Sequence, residues 1–536
     1  MTADEPTVLG LDACKSALEQ IDLDAGGSPI TSLTALVGPI PVSLLRALEL
    51  STKDVEKTKR IQRVVKLFCE KTAQILADPS SVPEDILVSL LRVLGTSSAL
   101  LREYPVLRKQ LAKNVVSVWS SWPSDSVRVV ALLTLHHLCS RYSKVFESCL
   151  KEMYQQYGRS CRSLSMHNLG QATLMLNGLV EIFALYPEKA VAFGTRCLRQ
   201  MASLVQQAMK KSDKTNVKKV LCWQFIALVR FWAHLLATMG TESAFKALLF
   251  PVCNLLTCVL SFQSSPRFFG FHFHMVASAL EMIERTGCHI PVTSCLLKIV
   301  GYVAKQPLYK LEVKKAAYDL VALYKVPKSE TTTKGYLECV ADEALFYILK
   351  LLTQQISTVT FPEQANAVLS SLKNVIKNFP KLDRNLKKQI EGHMTKITQQ
   401  KKEIETLRIG EALTPTAVFD KKSTLQIDNM KQPLIAYVAN LEKVRNIKRK
   451  LLADKEEEEE EDDQVSTNKA STKKVSSKNA AVDKKSVDKV KKPKQELPAS
   501  KKRRKTESTE KPSGNKRAAK NVGPEEDIVE DFVLDD

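Results

Sequence analysis

The stretch SALLREYPVLRKQLAKNVVSVW, residues 98–119, indicates the fold class because its apolar residues recur at helical spacing. These residues are Leu100, Leu101, Tyr104, Leu107, Leu111, Val115 and Val118. Positions three and four residues apart share one side of an α-helix. The next stretch, DSVRVVALLTLHHLCSRY (125–142), repeats the pattern. Both stretches predict amphipathic helices that bury one face each.

The same pattern continues from about residue 83 to residue 410 and is interrupted every 20–40 residues. The predicted breaks are Pro105, Pro123, Pro187, the polar run 211–216, Pro251, Pro291, Pro307, Pro327, Pro362 and Pro380. Alternating strands with Asn-Gly or Asp-Gly turns are absent from the sequence. Short connections between amphipathic helices make neighbours antiparallel, and a long series of such pairs stacks. The sequence therefore predicts an all-α fold, an irregular α-solenoid of armadillo/HEAT-like repeats without a strict period.

Composition divides the chain into four predicted parts. Residues 1–82 form an N-terminal segment that is partly helical, 83–410 the helical-repeat domain, and 411–453 a basic linker or helix. Residues 454–536 contain the acidic run EEEEEEDD (456–463), a lysine-rich stretch (469–520) and the acidic, partly apolar EEDIVEDFVLDD (525–536). Few aromatics and long blocks of like charge predict that this charged C-terminal tail is disordered.

The net charge of +20 favours a polyanionic partner, and the excess lies in residues 1–453 because the tail is close to neutral. Two stretches could follow a phosphate backbone: KLDRNLKKQIEGHMTKITQQKK (381–402) and KVRNIKRK (443–450). The candidate RNA contacts are Arg384, Lys387, Lys388, Lys396, Arg445, Lys448, Arg449 and Lys450. The alternative is that both stretches are only solvated helix faces, and no RNA-stacking aromatic motif accompanies them.

Features of the sequence that indicate subcellular location favour the nucleus. KKRRK (501–505) followed by NKRAAK (515–520) resembles a two-part nuclear import signal, which makes an importin an expected partner; the alternative is a solvated lysine-rich tail. Its residues are Lys501, Lys502, Arg503, Arg504, Lys505, Lys516 and Arg517. No secretory signal is visible, and the twelve cysteines lack any C-x-x-C pair, which is typical of small buried residues in a reducing compartment. Residues 244–262 carry charge and proline and predict a buried helix rather than a membrane span, so the protein is expected to be intracellular and soluble.

Catalytic and cofactor motifs are absent from the sequence. Glycine contributes only 18 residues, and neither a P-loop nor a dinucleotide G-x-G-x-x-G occurs. His272 and His274 have H-x-H spacing within SPRFFGFHFH (265–274), but on one helix they point about 200° apart and cannot share one ion. Asp342 and Glu343 are interpreted as a helix N-terminal turn or as a buried pair with Lys or Arg. We expect no enzymatic activity, no metal, no cofactor and no small-molecule substrate.

SPRFFGFHFH, continuing to RTGCHIPVTSCLLKIV (285–300), resembles the most recognisable block of the nucleolar complex protein 2 family. The likeness extends, in order, to LKEMYQQYGRSCR (150–162), LRQMASLVQQAM (198–209), VLCWQFIALVRFW (220–232) and TFPEQANAVLSSLKNVIKN (360–378), covering about 145–410. The signature positions are Trp223, Gln224, Arg267, Phe269, Phe273, His274 and Pro291. The sequence departs from the family pattern at Gly270, usually proline, and at His272, usually arginine. Its charged extension is C-terminal, whereas family members often carry theirs at the N-terminus.

The resemblance implies a non-enzymatic assembly factor for the large ribosomal subunit, found in nucleolus and nucleoplasm. It implies sister nucleolar complex proteins and the pre-ribosomal particle, with or without direct rRNA contact, as partners. The signature would be a structural helix start whose aromatics fill the core, with His274 a satisfied polar residue. Two alternatives remain: a chromatin or transcription regulator that binds histones through the acidic segments, and a helical-repeat transport receptor that binds a small nuclear GTPase.

Overall fold

The computed structural model describes residues 10–21, 34, 36–50, 55–210, 214–240, 244–262, 265–308, 311, 318–380, 382–409 and 432–451. Its α-helices are α1 Leu11–Glu19, α2 Pro39–Leu50, α3 Val55–Ala77, α4 Glu84–Thr96, α5 Pro105–Ser121, α6 Asp125–Arg141, α7 Ser143–Ser160, α8 Met166–Ala184, α9 Pro187–Lys210, α10 Lys214–Val220, α11 Trp223–Met239, α12 Lys246–Ser261, α13 Phe269–Thr286, α14 Val292–Ala304, α15 Lys334–Gln354, α16 Phe361–Asn378, α17 Arg384–Leu407 and α18 433–451. No strand occurs in the described ranges. The all-α prediction is confirmed, and the armadillo/HEAT repeat type stays a prediction.

The stretch at 98–119 shows how proline sets the helix boundaries. Ser98–Leu101 form a short 3₁₀ turn, and α5 begins at Pro105, where proline is tolerated because the first N–H groups of a helix have no intrahelical partner. Leu111, Val115 and Val118 are buried on the inner face of α5, as their spacing predicts.

The predicted break at Pro251 is wrong, because this proline lies inside α12, which runs unbroken from Lys246 to Ser261. Proline in a helix interior loses one backbone hydrogen bond. The apolar side chains of Leu248, Val252 and Leu255 are buried and hold the helix in place. Of the described helices, none is long and apolar enough to cross a membrane.

Helices pack mainly on those one to three places away in the chain, as in α4 with α6, α5 with α7, α11 with α13 and α14 with α15. The described residues up to Ile447 belong to one compact unit, whose apolar core extends from Cys14 in α1 to Val438 in α18. Helix α3 packs on α5, across the boundary predicted between residues 82 and 83. All twelve cysteines are free thiols, and most are buried, so their interpretation as small apolar residues is confirmed.

Candidate functional site

The stretch 265–274 forms the entry to α13. Pro266–Phe268 make a 3₁₀ turn, and α13 starts at Phe269. The Phe271 amide donates to the Tyr324 carbonyl (3.0 Å), and the Val326 amide donates to the Arg267 carbonyl (3.1 Å). The Arg267 Nε donates back to the Val326 carbonyl (2.9 Å). The loop 323–326 thus satisfies backbone groups that a helix start leaves unpaired; we call this arrangement the clamp.

Gly270 lets the clamp close. A Cβ atom at this position would lie 2.3 Å from the Leu323 carbonyl oxygen and 3.1 Å from its carbonyl carbon. Such distances are far below van der Waals contact, so the loop can approach α13 only where the side chain is absent. The departure from the family pattern at Gly270 therefore matches a specific backbone contact in this chain.

His272 is a structural residue at the start of α13. Its two ring nitrogens lie 3.1 Å from the carbonyl oxygens of Phe268 and Phe262, and the side chain is buried. Burial lowers the pKa of His272, so the ring is favoured in its neutral form. Within the described part of the chain no group of three or more His, Cys, Asp or Glu is placed to hold a metal ion.

His274 packs edge-on against Trp223, with ring centroids 4.9 Å apart. Burial, with a smaller contribution from the positive charge of Arg230, lowers the pKa of His274 to about 4. Its Nε2 atom is buried without a hydrogen-bond partner among the described residues. The interpretation of 265–274 as a structural helix start is confirmed, and the expectation that His274 is a satisfied polar residue stays a prediction.

The other resemblance blocks also form internal contacts. The Trp232 Nε1 donates to the Tyr154 hydroxyl (3.0 Å), and the Tyr157 hydroxyl donates to the Ala227 carbonyl (3.2 Å). Burial raises the pKa of both tyrosines well above the ordinary value, so both hydroxyls remain protonated. Phe183 packs against Trp232 with centroids 5.7 Å apart. These residues join α7, α8 and α11 into one aromatic core.

The remaining signature positions are structural as well. Gln224 is buried at the start of α11 beside Gly158 of α7, where an added Cβ would lie 3.4 Å from its amide nitrogen. Phe273 is buried and stacks on Tyr347 of α15, with centroids 5.9 Å apart. Pro291 caps α14, which begins at the next residue. Phe269, already described at the start of α13, is also buried.

A cluster of charged residues joins α15 to α18. The Arg445 guanidinium pairs with the carboxylates of both Asp342 and Glu343 and lies over the Phe346 ring, 4.6 Å from its centroid. The Glu343 side chain is only 6% exposed and that of Arg445 only 13%. The interpretation as a buried partner of Lys or Arg is confirmed for Glu343, whereas Asp342 pairs with the same arginine but is 46% exposed. Arg445 is one of the candidate RNA contacts, and its positive charge is neutralised by these two carboxylates.

Polar contacts extend this cluster to α17. Gln389 Nε2 donates to Asp342 Oδ1 (2.7 Å), and the Tyr437 hydroxyl lies 3.0 Å from His393 Nδ1. Burial lowers the pKa of His393 to about 4, against the opposing effect of the Asp342 charge. Asp342, Glu343, Arg445, Gln389 and His393 are called the polar cluster below.

The candidate RNA contacts in α17 have different environments. Lys387 pairs weakly with Glu391 (3.9 Å), and Lys396 is half-buried. Arg384 and Lys388 are exposed and form no salt bridge with a described residue. They lie opposite the buried face of the helix, formed by Leu386, Ile390, His393, Ile397, Gln400 and Ile404.

Lys402, absent from the sequence-based candidates, completes this surface. At 100° per residue it shares the direction of Arg384 and lies about 27 Å further along the axis. Its separation from Arg384, a whole number of helical turns at 3.6 residues per turn, could have identified it from the sequence. We call Arg384, Lys388 and Lys402 the basic face of α17.

Lys448, Arg449 and Lys450 lie in the last turn of α18, and Lys448 and Lys450 are exposed. These three residues belong to a second compact unit, which begins at Lys448. The predicted import signal at 501–505 and 515–520, the acidic runs and most of the predicted linker lie outside the described residues.

Over the described residues, the fold and these contacts define an all-α protein whose most distinctive residues hold helices together, while Arg384, Lys388 and Lys402 lie on an exposed helix face. The model of the Noc2p family matches residues 144–441. The chain therefore belongs to the Noc2p family, and the resemblance inferred from residues 145–410 is confirmed and extends into α18.

Curated relatives agree with this assignment. The chain is 27% identical to an uncharacterised NOC2 family protein of Schizosaccharomyces pombe over 66% of its own length and 50% of the relative. It is 23% identical to nucleolar complex protein 2 of Drosophila melanogaster, over 68% and 48%. It is also 23% identical to nucleolar complex-associated protein 2 of Arabidopsis thaliana, over 71% and 49%. The chain thus spans about half the length of these relatives.

Proposed function

We propose that this protein is a non-enzymatic assembly factor in large ribosomal subunit biogenesis, acting in the nucleolus and nucleoplasm. The observation that carries the proposal is the family match over 144–441, together with relatives named as nucleolar complex proteins. In this proposal the helical body binds sister nucleolar complex proteins and the pre-ribosomal particle. An importin recognises the basic clusters at 501–505 and 515–520.

The basic face of α17 supplies the proposed contact with pre-ribosomal RNA. Arg384, Lys388 and Lys402 project from a helix whose opposite side is anchored in the core, so their Cα positions are fixed relative to one another. Three cations spread over about 27 Å suit an extended phosphate backbone better than a single small anion. We do not include Arg445 in this surface because it pairs with Glu343.

Salt-dependent binding tests this surface directly. The variant Arg384→Gln/Lys388→Gln/Lys402→Gln and the wild type are titrated with fluorescent single-stranded pre-ribosomal RNA over a range of salt concentrations. If all three side chains neutralise phosphates, the slope of log K against log salt becomes shallower by about 2, since each contact on a single strand contributes about 0.7.

A matched control carries the same charge change elsewhere. Lys109, Lys113 and Lys144 are exposed on α5 and α7, and the triple Lys→Gln change at these sites should leave the salt slope unchanged. Equal loss in both variants would show that only net charge matters and would remove the basic face of α17 from the proposal.

The cellular role is tested by purifying the tagged protein from nuclear extract, with and without RNase, followed by mass spectrometry and sedimentation. We expect large-subunit precursors and sister nucleolar complex proteins, with the protein partners retained after RNase. Histones in place of pre-ribosomal particles would contradict the proposal and favour the chromatin alternative.

A further inference from the structure

A groove between α9 and α12 has no assigned role. It encloses about 800 Å³ and is lined on one side by successive turns of α9 and on the other by α12. On α9 the lining residues Ala202 and Ser203 are small, which makes the surface concave between the longer Arg199 and Gln206. The stretch from Thr195 to Lys210 extends about 22 Å along the helix.

The groove exposes large apolar side chains. Phe250 is 78% exposed and Met209 51% exposed, and both line the groove with Pro251 and Leu255. Large apolar side chains grouped in one concavity mark an interaction surface more often than scattered ones do. The occupant should therefore present an apolar face.

The surroundings of the groove are positively charged. Arg199 and Lys210 belong to its lining, and Arg196 and Lys246 are exposed on the same two helices. Helix α12 contains no Asp or Glu, and α9 has none after Glu188. The occupant should therefore also be acidic, since a basic segment would place like charges together.

The sequence contains a segment with both properties. Residues 529–536, VEDFVLDD, combine four acidic residues with Val529, Phe532, Val533 and Leu534. In a helix Val529, Phe532 and Val533 share one side, and the eight residues measure about 12 Å, well within the groove. Residues 452–528 separate the segment from α18, and their extended length, on the order of 250 Å, does not restrict its reach.

We propose that residues 529–536 bind in the α9–α12 groove of the same chain, with Phe532 against Phe250 and the carboxylates near Arg199 and Lys210. The segment then competes for the groove within the same chain. A partner with a similar acidic, amphipathic segment can bind there only by displacing it. This inference is independent of the proposed ribosomal role, because it concerns a different surface and a contact within one chain.

Photocrosslinking in the full-length protein tests the contact. p-Benzoylphenylalanine replaces Phe532, and irradiated monomer at low concentration is digested and mapped by mass spectrometry. We expect crosslinks to residues 195–210 and 246–258. Crosslinks elsewhere on the chain, crosslinks only between two chains, or none at all would overturn the proposal.

Matched variants distinguish the groove from general attraction to a basic body. Phe250→Asp should abolish the crosslinks, whereas Val106→Asp, at a 77% exposed apolar residue of α5, should leave them unchanged. Arg199→Glu should weaken them, whereas Lys113→Glu should not. Both variants of each pair alter exposed side chains, so circular dichroism should remain that of the wild type. Equal effects of groove and control variants would refute the proposal.

Alkylation gives a second measurement without an artificial residue. Cys258 lines the groove, and Cys339, half-buried on α15, serves as an internal reference. If the segment occupies the groove nine-tenths of the time, displacement by Phe532→Asp accelerates iodoacetamide modification of Cys258 about tenfold relative to Cys339. No change in the ratio would refute occupancy by this segment.

Discussion

Replacement of Arg445 by methionine should destabilise the protein because it removes the cation from the polar cluster. The Glu343 side chain is 6% exposed and has no access to water that could replace the guanidinium, whereas Asp342 is 46% exposed and also accepts from Gln389. The cost therefore arises mainly at Glu343. Leaving one buried charge of an ion pair without its partner typically costs about 3–5 kcal/mol, and the lost contact with the Phe346 ring adds about 0.5–1 kcal/mol.

Removal of both buried charges should restore most of this loss. In Arg445→Met/Glu343→Gln the carboxylate is neutral, so the double variant should be more stable than Arg445→Met alone by about 2 kcal/mol or more. Lys443→Met is the control, since Lys443 is exposed on the same helix and should change stability by less than about 0.5 kcal/mol.

Urea unfolding followed by circular dichroism gives the free energies, and hydrogen exchange across residues 433–447 reports whether α18 opens before the rest. A loss below about 1 kcal/mol in Arg445→Met, or a double variant no more stable than the single one, would refute the reasoning. If Arg445 instead binds RNA, Arg445→Met should keep its stability and lose affinity, so the same variant distinguishes the two roles.

Three further predictions concern groups buried in the core. Because the folded-state pKa of His393 is about 4, below its unfolded value, the unfolded chain binds more protons between pH 6.5 and 4. The contribution of His393 alone to stability should fall by about 3 kcal/mol as pH drops through this window, in addition to the fall due to His274. In pH-dependent urea unfolding, His393→Gln should therefore show a fall smaller than that of the wild type by about this amount. Tyr154→Phe removes the acceptor of the Trp232 indole N–H and should lower the free energy of unfolding by about 1–3 kcal/mol in the same assay. The same Tyr→Phe change at an exposed tyrosine should lower it little. Gly270→Ala places a Cβ against the Leu323 carbonyl and should lower the melting temperature by several degrees, the equivalent of about 1–3 kcal/mol; an unchanged melting temperature would show that the loop moves freely.

The sequence predicts the helices well because helix formation depends on nearby residues. The apolar period over 98–119 and the proline at 105 gave the class of the structure and the start of α5, since both act within one or two turns. Pro251 failed as a boundary because burial of its neighbours on α12 outweighs the missing hydrogen bond.

Contacts between distant parts of the chain could not be predicted in the same way. The partner of Glu343 is Arg445, 102 residues away, and nothing in the local pattern of either helix distinguishes Arg445 from its basic neighbours. Gly270 was noticed only as a departure from a family pattern; its reason, the approach of Leu323, depends on a loop more than fifty residues further along the chain. Sequence reasoning therefore found the polar residues that matter but did not identify the pairing of Arg445 with Glu343.

The residues that carry the family resemblance make contacts inside the protein. Their role in stability is therefore a separate question from the role of exposed residues in binding. Trp232 is fully buried, and the half-buried Arg267 and His274 direct their contacts to the loop of the clamp or to another helix. The proposed binding surfaces instead use exposed groups such as Lys388 and Phe250, which the signature does not include. It follows that substitutions in the clamp should lower stability first and binding only through it, whereas substitutions at exposed sites should change binding while the unfolding curve stays that of the wild type.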